Sequence, residues 1–220
     1  ISAGNLLTVD TVLDSRAGSG GILTIEGGVR LNASPEVGAG DITLICNALD
    51  MIINTPLVRA SEILLTVSRD IIVQALVQTT SSDADIKLYA DSDGDGAGGV
   101  QIDPSGKIDS ARDVILSGSD VYASSRTGDS VIIENDGTND QILAARDITI
   151  QSNDAAATGA DIYIEGAICS TGNGVIALTC KDSIYLESSL ITSGGHILLN
   201  NPLELTGDSI LESGSTGGDI

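Results

Sequence analysis

A short motif recurs along the whole chain and limits what the chain can fold into. The motif is a small residue, often followed by aspartate, and then two apolar residues separated by one other residue. Its clearest copies are Gly40–Leu44, Ala84–Leu88, Ala160–Ile164 and Gly195–Leu199. Apolar residues that alternate over so short a length predict β-strands with one buried face, and glycine recurs too often for helices.

The copies are spaced like the coils of a solenoid. One complete unit runs from Gly174 to Gly195, a step of 21 residues, and Ile42 to Ile63 repeats that step. The unit contains three alternating segments separated by turn residues, at 175–178, 183–186 and 189–192. One coil of a parallel β-helix requires three such strands, and successive coils pair roughly 4.8 Å apart. We therefore predict an all-β fold, a right-handed parallel β-helix (β-solenoid) with about three strands per coil of roughly 21 residues.

The predicted solenoid is a single continuous domain over residues 1–220. Its register is irregular between residues 85 and 165, and a loop insertion is expected there at about 91–99. A sandwich of hairpins is the rival architecture, although most turns are longer than hairpin turns. The chain starts without Met and stops part-way into a repeat, so we expect an internal fragment of a longer chain. No apolar run is long enough to predict membrane insertion.

Composition supports a narrow, layered core and disfavours several partners. The chain has no Trp, no Phe and only 4 Tyr, so its core must be built mainly from aliphatic residues, which stack well on their like in the next layer. The formal net charge is −21, with 31 acidic and 10 basic residues. Nucleic acid is therefore not an expected partner, because phosphate contacts need clustered Lys and Arg. An acidic surface favours divalent cations instead.

The three cysteines and the single histidine predict no catalytic centre. Cys46 and Cys180 each follow strand residues at alternate positions, which indicates small buried hydrophobes. A disulfide between any two of Cys46, Cys169 and Cys180 is the alternative. His196 is interpreted as an outward residue at a strand start. We predict no catalytic residue and no required cofactor.

The most specific local feature is an Asp-rich loop. Asp91, Asp93 and Asp95 occupy alternate positions before a glycine, which is how calcium loops wrap oxygen ligands round one ion. A full twelve-residue calcium loop needs Glu at its last position, where this chain has Ile102. The first interpretation is a plain loop bulging from one coil. The alternative is a calcium site with Asp91, Asp93 and Asp95 as its ligands.

Aspartates that precede the strands raise a question of charge. In a solenoid they would stack near a corner, where like charges repel. A basic residue precedes several of them, and each base could neutralise the neighbouring layer. These bases are Arg69, Arg112, Arg146 and Lys181. Alternatively, each Asp side chain accepts hydrogen bonds from turn amides. Both structural interpretations are favoured over a row of metal sites.

The strings at 40–44, 145–150 and 194–199 resemble the repeat region of filamentous-haemagglutinin-like large exoproteins and related β-strand-repeat surface proteins. The resemblance implies a non-catalytic shaft segment of a secreted adhesin at the bacterial cell surface. It implies as partners the flanking coils, other copies of the chain, and a host or neighbouring-cell surface or glycan. The alternative is a subunit of a self-assembling extracellular filament, sheath or matrix. A polysaccharide-active β-helix enzyme comes third, because aromatic and basic residues are sparse.

Overall fold

The chain forms a parallel β-solenoid. The computed structural model describes the backbone of 7–9, 21–25 and 29–31 and, with side chains, residues 41–46, 50–121, 129–137, 140–152, 160–214 and 219–220. Within these residues every regular element is a β-strand, and the strands build three parallel sheets, named A, B and C here. From the fourth strand onward the chain visits the sheets in the order B, A, C. The predicted all-β solenoid with three strands per coil is confirmed.

The strands of each sheet are given in spatial order. Sheet A contains β1 (Leu7–Val9), β3 (Val29–Leu31), β5 (Met51–Ile53), β8 (Ile71–Val73), β11 (Val100–Ile102), β14 (Asp129–Ile133), β17 (Asp161–Ile164), β20 (Ile184–Leu186) and β23 (Leu203–Leu205). Sheet B contains β2 (Gly21–Ile25), β4 (Ile42–Cys46), β7 (Ile63–Val67), β10 (Ile86–Tyr89), β13 (Val114–Gly118), β16 (Ile148–Ser152), β19 (Ile176–Thr179) and β22 (Ile197–Leu199). Sheet C contains β6 (Leu57–Arg59), β9 (Leu76–Thr79), β12 (Lys107–Ser110), β15 (Asp140–Ala144), β18 (Ala167–Ser170), β21 (Ser189–Thr192) and β24 (Ile210–Glu212).

The core consists of ladders of similar side chains, one from each coil. From β4 onward, the first inward position of sheet B is isoleucine or valine in each coil, at Ile42, Ile63, Ile86, Val114, Ile148, Ile176 and Ile197. All of these side chains are buried. Because each β-branched side chain packs on its like one layer away, no aromatic residue is needed to fill the interior.

The coil length varies more than the 21-residue prediction allows. Registered positions of sheet B, from Ile42 to Ile197, are separated by 21, 23, 28, 34, 28 and 21 residues. The two 21-residue steps lie at the ends of this series, where the sequence defines the repeat best. The longer middle steps arise from connections and not from added strands, because each of these coils still has one strand per sheet.

An inward position of sheet C holds buried hydroxyl groups that the sequence pattern did not predict. Thr79 Oγ1 donates to the carbonyl oxygen of Ala84 at 3.0 Å, and Thr192 Oγ1 donates to that of Gly195 at 2.9 Å. Ser170 Oγ donates to the carbonyl oxygen of Arg146, which belongs to the coil below, at 2.7 Å. These hydroxyls satisfy carbonyl groups of the turns between sheets C and B, which would otherwise lose a partner on burial.

Candidate functional site

The longest connections of the described coils lie at one corner of the solenoid. Residues 90–99 join β10 to β11, 119–128 join β13 to β14, and 153–160 join β16 to β17. All three run from sheet B to sheet A on consecutive coils. The same corner is crossed by only three residues between β7 and β8 and by four between β19 and β20. The three longest connections therefore belong to the same corner of three consecutive coils, and the Asp-rich loop is the first of them.

The Asp-rich loop is fixed at both ends by neighbouring coils. The amide of Asp91 donates to the carbonyl oxygen of Arg69 in the coil below, at 3.4 Å. Near the other end, the amide of Gly98 donates to Asp120 O and its carbonyl accepts from the Ser119 amide, both at 2.7 Å. Gly98 has φ +138°, and a Cβ there would lie 2.5 Å from the Arg69 carbonyl oxygen. Only glycine combines a positive φ with the absence of a Cβ, so the close approach of this backbone to Arg69 requires glycine.

The three aspartates predicted as calcium ligands converge in the structure. One carboxylate oxygen from each of Asp91, Asp93 and Asp95 lies within 4.8 Å of the others. Asp91 is buried, with φ +51°, whereas Asp93 and Asp95 are exposed at the loop tip. Asp91 Oδ1 accepts from the Gly96 amide at 3.1 Å, and its Oδ2 accepts from the Ser119 hydroxyl. The cluster therefore has one anchored carboxylate and two that face solvent.

Electrostatics at this cluster favour a compensating positive charge. Burial raises the pKa of Asp91, the hydrogen bonds from Ser119 and Gly96 oppose that shift, and the charges of Asp95 and Asp93 add to it. A calcium ion requires six to eight oxygen ligands, and three carboxylates supply only part of that number. Ile102, at the position of the closing Glu, is buried in β11, so the loop cannot close as an EF-hand does. The calcium assignment stays a prediction.

The aspartates at the corners act on the backbone of the next coil. Asp147 Oδ1 accepts from the Val175 amide at 2.8 Å, and Asp113 Oδ1 accepts from the Asp147 amide at 3.1 Å. The corner that leads into sheet A has the same arrangement, with Asp161 Oδ1 accepting from the Ser183 amide at 2.7 Å. Each carboxylate thus extends the hydrogen-bond ladder by one amide beyond the strand. The predicted structural role in binding turn amides is confirmed for these aspartates.

Arginines of one coil also pair with aspartates of the coil below. Arg112 binds Asp85 through two contacts of 2.6 Å, and Arg69 binds Asp50 in the same bidentate way. Burial alone would raise the pKa of Asp85, but its hydrogen bonds with Arg112 and Lys87 bring it below the usual value. The predicted neutralisation between layers is confirmed for these two pairs.

His196 occupies the same corner position as the aspartates. It is exposed, and its Nδ1 accepts from the Asp219 amide at 3.0 Å. The imidazole therefore replaces a carboxylate as the acceptor, and a nitrogen that accepts a hydrogen bond carries no proton. The outward position predicted for His196 at a strand start is confirmed.

All three cysteines are free thiols in the structure. Cys46 and Cys180 are buried, as their alternation predicted, and Cys169 is half-buried on the outer face of sheet C. Burial raises the pKa of Cys180 to about 11, with a further contribution from the nearby charge of Asp161. A buried thiol with a raised pKa is a poor nucleophile, so Cys180 acts as a small core hydrophobe.

Comparison with protein families, with curated proteins and with solved structures gives no match to this chain. The described part of the chain also contains no helix of the length and apolar character needed to cross a membrane.

Proposed function

We propose that the chain is a non-catalytic structural spacer, the stalk segment of a secreted bacterial surface adhesin. The observation that supports this proposal most directly is the uninterrupted ladder of parallel strands. Sheet A alone has nine strands in consecutive register, which at about 4.8 Å per strand spans about 40 Å along the axis. From the coil of β4, β5 and β6 onward, each described coil is hydrogen-bonded to the next along all three sheets, and this continuous bonding suits a stiff spacer.

The corner chemistry supports the same role. Carboxylates such as Asp147 and Asp161 are engaged by amides of the adjacent coil, and Asp85 is engaged by Arg112. Acidic residues in these positions stabilise the contact between coils. They account for part of the acidic composition without a substrate or a row of metal ions. Extracellular placement, with a host or neighbouring-cell surface or glycan as the eventual partner, belongs to the same proposal.

The second candidate function is a subunit of an extracellular filament, sheath or matrix. The last described coil exposes apolar side chains: Leu205 is 60% exposed and Ile210 is 54% exposed. Leu199, Leu203 and Leu211 are only partly buried against the core. A sheet edge with such residues accepts a further strand readily, whether that strand is the next coil of a longer chain or belongs to another copy. The added strand would come from another copy if the chain assembles end to end.

Electron microscopy of the native material separates the two functions. The stalk predicts single rods that project from the cell surface. The filament predicts regular polymers in which this segment repeats along the axis. Turnover of acidic or neutral glycans by the purified chain, with calcium present, would contradict both and establish a polysaccharide-active enzyme.

A further inference from the structure

The outer face of sheet A presents two tyrosines from adjacent coils near its C-terminal end. Tyr163 of β17 and Tyr185 of β20 are registered partners, and Glu204 of β23 is the next residue in the same ladder. The ring centroids are 6.1 Å apart and the ring planes are inclined by 38°. The neighbours of Tyr185 along its strand, Ile184 and Leu186, are fully buried, so the tyrosine ladder faces away from the core.

The two rings differ in exposure and therefore in what they can contact. Tyr163 is 9% exposed, and its hydroxyl donates to Glu187 Oε1 at 2.6 Å. Tyr185 is half-buried and Glu204 is exposed. Tyr163 is thus a fixed support, whereas Tyr185 and Glu204 remain available to a partner. We call Tyr163, Tyr185, Glu187 and Glu204 the Tyr185 patch.

The surroundings of the Tyr185 patch are strongly anionic. The charges of Asp161 and Glu204 are the main cause of a raised pKa at the Tyr185 phenol, and Asp182 contributes in the same direction. From residue 161 to residue 220 the sequence has eight acidic residues, one lysine and no arginine. An aromatic ring among carboxylates attracts cations, since the ring face and the acidic groups both favour positive charge.

We propose that the Tyr185 patch docks an arginine-bearing segment of a partner protein. A guanidinium group stacks its plane on a tyrosine ring while its N–H groups bind a carboxylate, whereas a lysine ammonium has neither a planar face to stack nor a bidentate fork. Tyr185 supplies the ring and Glu204 supplies an exposed carboxylate one coil away. This docking role is independent of the spacer proposal, because it concerns one lateral face and not the ends of the rod.

The test is a calorimetric titration of the whole 220-residue chain with a blocked Gly-Arg-Gly-Arg-Gly peptide at low ionic strength. Tyr185→Ala should weaken binding about three- to tenfold, and Tyr185→Phe should stay within about twofold of the wild type because it keeps the ring. Tyr89→Ala removes a half-buried tyrosine from the outer face of sheet B and should leave the affinity unchanged. The matched lysine peptide should bind more weakly than the arginine peptide.

Two exposed acidic residues keep the test decisive if Tyr185→Ala does not fold. Glu204→Gln should weaken binding of the arginine peptide about twofold, while Glu212→Gln, at an exposed glutamate of sheet C, should not. Equal losses from the two glutamate variants would show attraction by overall charge, and equal losses from Tyr185→Ala and Tyr89→Ala would show that the effect is not specific to the Tyr185 patch. Either result would overturn the proposal. Binding of a neutral oligosaccharide that depends on Tyr185, with no binding of the arginine peptide, would overturn it as well.

Discussion

Replacing Asp147 tests whether the corner aspartates act through hydrogen bonding or through charge. Asp147 Oδ1 accepts from the Val175 amide at 2.8 Å, and this amide lies one residue before β19. Asp147→Ala removes the acceptor, whereas Asp147→Asn keeps an oxygen in the same place and removes only the charge. We expect alanine to destabilise the fold and asparagine to change its stability little.

The magnitude follows from the position of the Val175 amide. An amide left without a partner in a fully buried place costs roughly 1–3 kcal/mol. Val175 is half-buried, so water replaces part of the lost bond and the lower half of that range applies, about 1–2 kcal/mol. Asp147→Asn should cost less than about 0.5 kcal/mol, as for substitutions that break no buried contact.

Native-state hydrogen exchange is the suitable assay, because opening of a solenoid can be local and a single unfolding free energy is then ill-defined. Asp147→Ala should speed exchange of the Val175 amide about tenfold, which corresponds to about 1.4 kcal/mol, and Asp147→Asn should leave it nearly unchanged. Asp208→Ala, at an exposed aspartate, is the control. Equal exchange at Val175 in the alanine and asparagine variants would refute the hydrogen-bond explanation.

Three further predictions concern the Asp-rich loop. Gly98→Ala should destabilise the chain by about 1–3 kcal/mol in thermal or urea unfolding. Gly94→Ala, where an added Cβ meets no atom within 4 Å, should cost no more than about 1 kcal/mol. Similar costs for the two variants would contradict the close approach of Gly98 to Arg69. Because the folded pKa of Asp91 is raised, the stabilising contribution of its protonated form is present at low pH and is lost as the pH rises through that pKa. In EDTA, Asp91→Asn should therefore stabilise the chain at pH 7, and this gain in stability should disappear towards pH 4. A gain in stability that grows at low pH would show that the pKa of Asp91 is not raised. If the loop binds calcium with a Kd near 1 mM, about 5 mM CaCl2 should raise Tm by roughly 2–4 °C. Asp93→Asn should reduce that shift in Tm. An unchanged Tm would identify a plain loop without a calcium site.

The sequence was sufficient for the strand architecture because that architecture depends on local patterns. Ile176 and Leu178 alternate with more polar or smaller residues, and this local pattern is enough to place both side chains in the core. The 21-residue step from Gly174 to Gly195 matches one complete coil. The convergence of Asp91 with its two neighbours was also predictable, because ligands at alternate positions of a tight loop are close by covalent geometry.

The assignment of each motif to a sheet required the tertiary structure. Arg112-Asp113 and Lys181-Asp182 look alike in sequence, but the first pair precedes β13 in sheet B and the second precedes β20 in sheet A. The 34 residues from Arg112 to Arg146 are one coil step at the sheet B corner, whereas the 35 residues from Arg146 to Lys181 lead to the other corner. The reason is physical: an aspartate at the start of a strand can accept the next coil's amide at either corner, as Asp147 does in sheet B and Asp161 does in sheet A, so the local pattern does not distinguish the corners.

Contacts between coils were likewise decided only by the fold. Tyr163 and Tyr185 are 22 residues apart, and the contact between their tilted rings depends on the register between β17 and β20. The length of every connection between the two strands sets that register. The pairing of Ser119 with Asp91 spans 28 residues for the same reason. The sequence by itself determined that this chain is built of alternating strands wound into coils. The tertiary structure decided which side chains meet across those coils, because loop length shifts the register without changing the local pattern.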